Sequence, residues 1–222
     1  MRWEIRLTAG FIGLFILSVL LAHQLHELGH YAVARLQGAD IVFETFDRWE
    51  VLSPVANPLP ILVAGNLVNL FLAYSGLTLV FRSKRFKDLG FCLAFSSAMF
   101  IVGNSVAGLA GARVGDEKSI AAFLGVDPKI VYTFFLLVFL PPLIFAFQIL
   151  EGRAKQKFLK FTMLLALLSG TLAPVILIGE FKHLAPGLFS LVGGLPVAMI
   201  LLNALILSLL VFFAISRLKR AG

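Results

Sequence analysis

The sequence predicts an all-α integral membrane protein, six transmembrane helices with a short β-hairpin between the first two. Three observations predict it. Of 222 residues, 59% are hydrophobic and only 14% are charged, whereas a soluble domain carries about 25% charged residues. Mean hydropathy is +0.96. Six stretches approach or exceed the ~20 apolar residues that a spanning helix needs, at roughly 7–28, 59–81, 89–112, 130–150, 161–178 and 188–216. No connection between them is long enough for a soluble domain, so the expectation is one polytopic membrane domain over 1–222. The same composition excludes a disordered chain, and the single cysteine, Cys92, excludes an internal disulfide framework.

The first helix follows Arg2 and Arg6, an arrangement shared with signal peptides. Its apolar run continues into His26 without a small-residue cleavage site, so it reads as a retained helix. The first connection, 37–58, holds two β-prone runs, Ile41–Phe46 and Trp49–Leu52, joined at Asp47-Arg48, and they predict the hairpin. Ser53-Pro54, Asn57-Pro58 and Pro60 end regular structure before the second helix. Pro141-Pro142 predicts a kink in the fourth helix and Pro174 one in the fifth. Gly193-Gly194 before Pro196 reads as a helix start or hinge in the sixth.

A net charge of +7 on such a chain has two readings. Nucleic-acid binding needs a basic face in water, and too little soluble surface remains to build one, so no nucleic-acid partner is expected. The alternative is topology. With six spans, the N-terminus, the second and fourth connections and the tail collect thirteen of the 19 basic residues, while the first connection is net negative through Asp40, Glu44, Asp47 and Glu50. Basic residues concentrate in short cytoplasmic loops, which places both termini in the cytoplasm and suggests the plasma membrane. The lipid bilayer is the obligatory partner, and nothing in the sequence addresses oligomeric state.

The residues that carry chemistry are His26-Glu27-Leu28-Gly29-His30, an H-E-x-x-H pattern near the far end of the first helix. Histidines four apart lie one turn apart on one helix face, so both rings reach one metal ion. Glu27 then sits beside the metal, where it can accept a proton from water. Zinc (Zn2+) is the leading candidate, since it takes imidazole and carboxylate ligands and keeps a position for water. The plainer alternative, polar groups bonding between helices, is weighed against the high cost of ionisable groups inside a membrane. His23 shares the face, but seven residues from His30 is roughly 10 Å along a straight helix, too far for one ion to take both. A third ligand must come from elsewhere. Asp116 follows the third helix, which the six-span topology ends on the side of the histidines. Glu117, Asp127, Glu180 and His183 share that side and compete with it.

With these residues in view, the sequence resembles the site-2 protease family of intramembrane zinc metalloproteases. His26-Glu27-Leu28-Gly29-His30-Tyr31-Ala32 is similar to the family's helix motif. Ala64-Gly65-Asn66-Leu67-Val68-Asn69-Leu70 is similar to its Gly-Pro-x-x-Asn segment, with Asn66 at the proline position. Asp116 stands where the family has an aspartate, followed here by Glu117 rather than glycine. The likeness covers about the first half of the chain, implying a metalloprotease-like core over 1–128 and additional helices over 129–222, a minimal and divergent member. It implies zinc held by His26, His30 and Asp116, Glu27 as the catalytic base and then acid, and Asn69 as a substrate-binding residue. The implied partner is a membrane-anchored protein substrate, which the hairpin could hold by β-addition. A metal-binding scaffold or pseudoprotease without proteolysis is the alternative. An amide or lipid hydrolase using the same metal chemistry is a further one, and a small transporter is less favoured because the later helices carry few polar residues.

Overall fold

The structure is a computed structural model that describes residues 9–45, 48–53, 55–112, 115–149, 156, 158, 191–192, 195–196, 199–201, 203–209 and 212. In chain order the elements are α1 (Ala9–Leu36), β1 (Ile41–Thr45), β2 (Arg48–Val51), α2 (Leu59–Arg82), α3 (Lys87–Leu109), α4 (Asp116–Leu124), α5 (Pro128–Gln148), β3 (Leu191–Val192) and β4 (Leu195–Pro196). A shorter apolar helix, α6, comes last, at Met199–Leu209.

The six expected spans are corrected to four among the described residues: α1, α2, α3 and α5 are long and apolar enough to cross a membrane. The expected fifth span, 161–178, lies outside the described residues. The expected sixth is not one helix. Within 188–216, Leu191 and Val192 pair antiparallel with Pro196 and Leu195, and the described helix follows from Met199. The physical reason is local: Gly193, Gly194 and Pro196 favour a turn over a helix interior. The apolar helix described after it, Met199–Leu209, is not among the four described spans. Hydropathy sums across such a break, whereas helix formation does not.

The four long helices start and stop for readable reasons. α1 has 28 residues and runs past the expected end at 28, through both histidines, to Leu36. There the Ala39 N–H bonds the Ala34 carbonyl and Arg35 bridges to Asp40 at 2.8 Å. α5 begins with Pro128 in its first turn, behind Asp127, whose carboxylate accepts from the Lys129 N–H at 2.9 Å. It continues across Pro141-Pro142 to Gln148. Between α3 and α5 lies an element that the hydropathy pattern does not reveal, the nine-residue α4.

The hairpin is antiparallel, with Ile41 opposite Val51, Val42 opposite Glu50 and Phe43 opposite Trp49, and a bulge before Thr45 pairs with Arg48. Ile41 is fully buried and packs with Ala34, Ile61 and Met199 beneath the hairpin. At the opposite end of α1 the core is aromatic. Phe11, Phe15, Phe91 and Phe95 surround Phe158, and the Phe95–Phe158 rings meet edge to face at 4.9 Å. α2 and α3 cross in backbone contact at Gly76 and Gly90: a Cβ on Gly76 would lie 2.5 Å from the Gly90 carbonyl oxygen, and one on Gly90 2.6 Å from that of Gly76. Exposed apolar positions run along the outside, including Leu67, Phe71 and Phe81 of α2 and Ile130, Phe134 and Leu137 of α5.

Candidate metal centre

α1 supplies two ligands by its period alone. His26 and His30 lie one turn apart and both are buried. Their Nε2 atoms are 3.3 Å from each other. Asp116, the first residue of α4, places Oδ2 at 2.9 Å from His26 Nε2 and 3.1 Å from His30 Nε2. Three donor atoms, two imidazole nitrogens and one carboxylate oxygen, thus converge on one point, a cluster able to coordinate a metal ion.

The spacing tests which ion fits. Zinc bonds of about 2.0–2.1 Å at tetrahedral angles place ligand atoms roughly 3.3 Å apart. The observed His26–His30 edge of 3.3 Å reaches that spacing, and the two edges to Asp116, 2.9 and 3.1 Å, fall short of it, so a small outward shift of the carboxylate would admit the ion. Calcium would call for more oxygen ligands than this cluster holds.

Two further groups aim the rings. His30 Nδ1 donates to the Ile61 carbonyl oxygen of α2 at 2.6 Å, which fixes its proton on Nδ1 and leaves the Nε2 lone pair facing the cluster. Behind His26 stands the Asn69 amide, with Nδ2 3.1 Å from His26 Nδ1. In that orientation Asn69 Nδ2 donates to Nδ1, and His26 Nε2 carries the proton that it donates to Asp116. Half a turn of the amide would bring Asn69 Oδ1, buried and without a hydrogen-bond partner, onto Nδ1 and free Nε2 for a metal. Asn69 is itself fully buried; what it touches is a ligand ring.

Room for an ion is provided from α2. A Cβ at Gly65 would lie 2.5 Å from His30 Nε2 and 2.6 Å from His26 Nε2. Only a residue without a side chain leaves the ligand nitrogens uncovered at this point. Phe100 of α3 closes another side, its ring 5.5 Å from that of His26.

Electrostatics reinforce the cluster. Burial alone would raise the Asp116 carboxyl, but the imidazoles of His26 and His30 beside it outweigh that effect and hold it well below the usual carboxylate range. Glu117 behaves in the opposite way. It is 1% exposed, and burial, with the charge of Asp116 adding to it, pushes its carboxyl up to about 7 despite a hydrogen bond from its own backbone.

The other candidates now have places. Glu27 is buried on α1 directly after His26. His23 stays out of the cluster and packs against Phe100, ring centroids 5.6 Å apart. Asp127 caps α5, and Glu117 is not one of the converging three. Glu180 and His183 lie outside the described residues. Sequence reasoning missed the Ile61 carbonyl, which no side-chain pattern announces. It also missed the role of Gly65, which it noted only as the glycine of the segment resembling Gly-Pro-x-x-Asn.

The chain matches no family model, no curated protein sequence and no solved structure. Its likeness to the intramembrane zinc proteases therefore rests on the motif residues alone, and the geometry stands by itself: a buried His/His/Asp cluster, able to bind a metal, in a multi-pass membrane protein.

Proposed function

We propose that the protein binds zinc at His26, His30 and Asp116 and uses it as an intramembrane endopeptidase, hydrolysing a peptide bond of a membrane-anchored protein. The observation that carries the metal reading is the convergence of three ligand atoms at zinc-like spacing, with one ring oriented by a carbonyl and the other by an amide. The catalytic reading adds Glu27 and the resemblance of the motif.

Bound zinc would supply Lewis-acid polarisation of a carbonyl and a nucleophilic water at neutral pH. The protein's own groups do the rest. Glu27, next to His26 in the same turn, takes a proton from the attacking water as its oxygen adds to the peptide carbon. The carboxyl then returns that proton to the departing amine nitrogen as the C–N bond breaks. Asn69 and the Ile61 carbonyl keep the two imidazoles aimed, and Phe100 keeps bulk water away from one side of His26.

One observation favours a second reading, a metal-binding membrane scaffold without proteolysis. Glu27 is buried and Asn69 is fully buried against a ligand ring, so the residues expected to meet a substrate are enclosed. Metal analysis of the purified chain separates the readings from each other and from failure. Stoichiometric zinc that is lost in His26→Ala and His30→Ala supports the centre, and a wild type devoid of transition metal overturns both readings. Glu27→Gln that keeps zinc and folding but loses cleavage of a membrane-anchored test substrate supports the protease. A cellular phenotype unchanged in Glu27→Gln supports the scaffold.

A further inference from the structure

α4 differs from the other helices in what it leaves uncovered. Its inner face, Ile120 and Ala121, is buried in the core shared with α5. Its far end exposes Phe123 by 46% and Leu124 by 49%, and Val126, next along the chain, is also exposed. Pro128 then begins a spanning helix, so α4 is joined to the membrane by three residues, Gly125 to Asp127.

The exposed apolar surface does not stop at that junction. It continues down α5 as Ile130, Phe134 and Leu137, 59–65% exposed and spaced four and three residues apart, one stripe of a helix. On a helix that crosses the bilayer this stripe is in contact with acyl chains, and the patch on α4 is its upper end. Lys118 and Lys129, both exposed, flank the patch, where ammonium groups reach headgroup phosphates. At nine residues α4 is far too short to cross. Apolar tip, short length, flanking lysines and continuity with a lipid-facing stripe are the marks of a helix lying in the membrane interface.

The first residue of this helix is Asp116. The two histidines are held relative to one another by the turn of α1 they share, whereas the third ligand is delivered by a separate element. We propose that α4 is an interfacial anchor: Phe123, Leu124 and Val126 insert at the headgroup–acyl boundary on the metal-centre side, and this insertion holds Asp116 against His26 and His30. The anchor is argued from surface and topology; its coupling to the ligands rests on the metal-binding reading above.

The test uses the full chain in phosphatidylcholine–phosphatidylglycerol vesicles. Phe123→Trp, in a background with Trp3→Phe and Trp49→Phe, should lose most of its emission when the acyl chains are brominated. An unquenched tryptophan would place the patch in water, against a soluble partner or a second copy, and overturn the anchor. Zinc affinity, read by chelator competition, should weaken on the order of tenfold in Phe123→Asp/Leu124→Asp, the size of a moderate coupling between sites. Phe123→Ser serves as the milder variant should the double substitution fail to fold. Quenching together with unchanged zinc affinity would overturn the coupling. A wild type that takes up no zinc would overturn the metal reading and the coupling with it, while quenching would still decide the anchor.

Discussion

At Gly65 two physical effects oppose each other, which makes it the most informative single position. Alanine favours a helix interior over glycine by about 0.8–1.0 kcal/mol, so Gly65→Ala should not weaken α2 by propensity. Yet its methyl group would sit 2.5–2.6 Å from the two ligand nitrogens. The expected outcome is a folded protein with little or no bound zinc, checked by metal analysis beside a thermal melt; full zinc content in the variant would mean that the ion lies elsewhere. Asn69→Ala removes the group behind His26 and should weaken zinc binding about 10–100-fold. Asn69→Asp should restore much of it, because a carboxylate accepts the Nδ1 proton better than an amide does. A merely structural asparagine would show the opposite order, since burying a charge next to apolar helices costs stability. The histidine pair was legible in the sequence because a helix has a fixed period, and four residues is one turn. Asp116 was legible only through the side of the membrane it had to share with that pair. The carbonyl of Ile61 was not legible, since every residue has one and only the packing of α1 on α2 selects it.

Among the elements, the α2–α3 crossing sets the frame that carries Gly65, Asn69 and Phe100. The Gly76 and Gly90 backbones touch there, and small residues are what allow membrane helices to approach this closely. Gly90→Leu would force the helices apart. It is expected to lower the melting temperature of the reconstituted protein and to reduce zinc content together, whereas Gly65→Ala should affect zinc alone. The hairpin was readable from two β-prone runs joined at Asp47-Arg48, whereas the cap of α5 at Asp127 was not read, since that residue was weighed only as a ligand. α4 escaped because nine residues of mixed polarity carry too few turns for a periodic signal. The region after residue 188 misled for the converse reason: many apolar residues, but Gly193, Gly194 and Pro196 interrupting their backbone.

On the scale of the molecule, charge distribution makes a claim about direction. α2 and α3 are joined by a basic turn, Arg82, Lys84, Arg85 and Lys87, and the hairpin and Asp116 lie at the other ends of these helices. Basic short loops face the cytoplasm. Single cysteines at Ser83 and Ser53 in right-side-out vesicles, with the native Cys92 buried, should therefore react differently with an impermeant maleimide. Ser53→Cys is expected to be labelled in sealed vesicles and Ser83→Cys only after they are opened; the reverse pattern would invert the metal centre to the cytoplasmic side. The prediction needs only α1, α2 and α3, so it holds with the four spans found among the described residues.

The bond from His30 to the Ile61 carbonyl has a consequence for how the centre can be lost. The acceptor belongs to the main chain, so replacing Ile61 by valine, leucine or methionine changes packing and leaves the oxygen in place. Mutational damage at this point is buffered by the peptide backbone itself. Asn69, by contrast, is a side-chain partner that a single codon change removes. A library selected for zinc retention should accordingly accept several residues at 61 and few at 69, although both positions stand behind a ligand histidine.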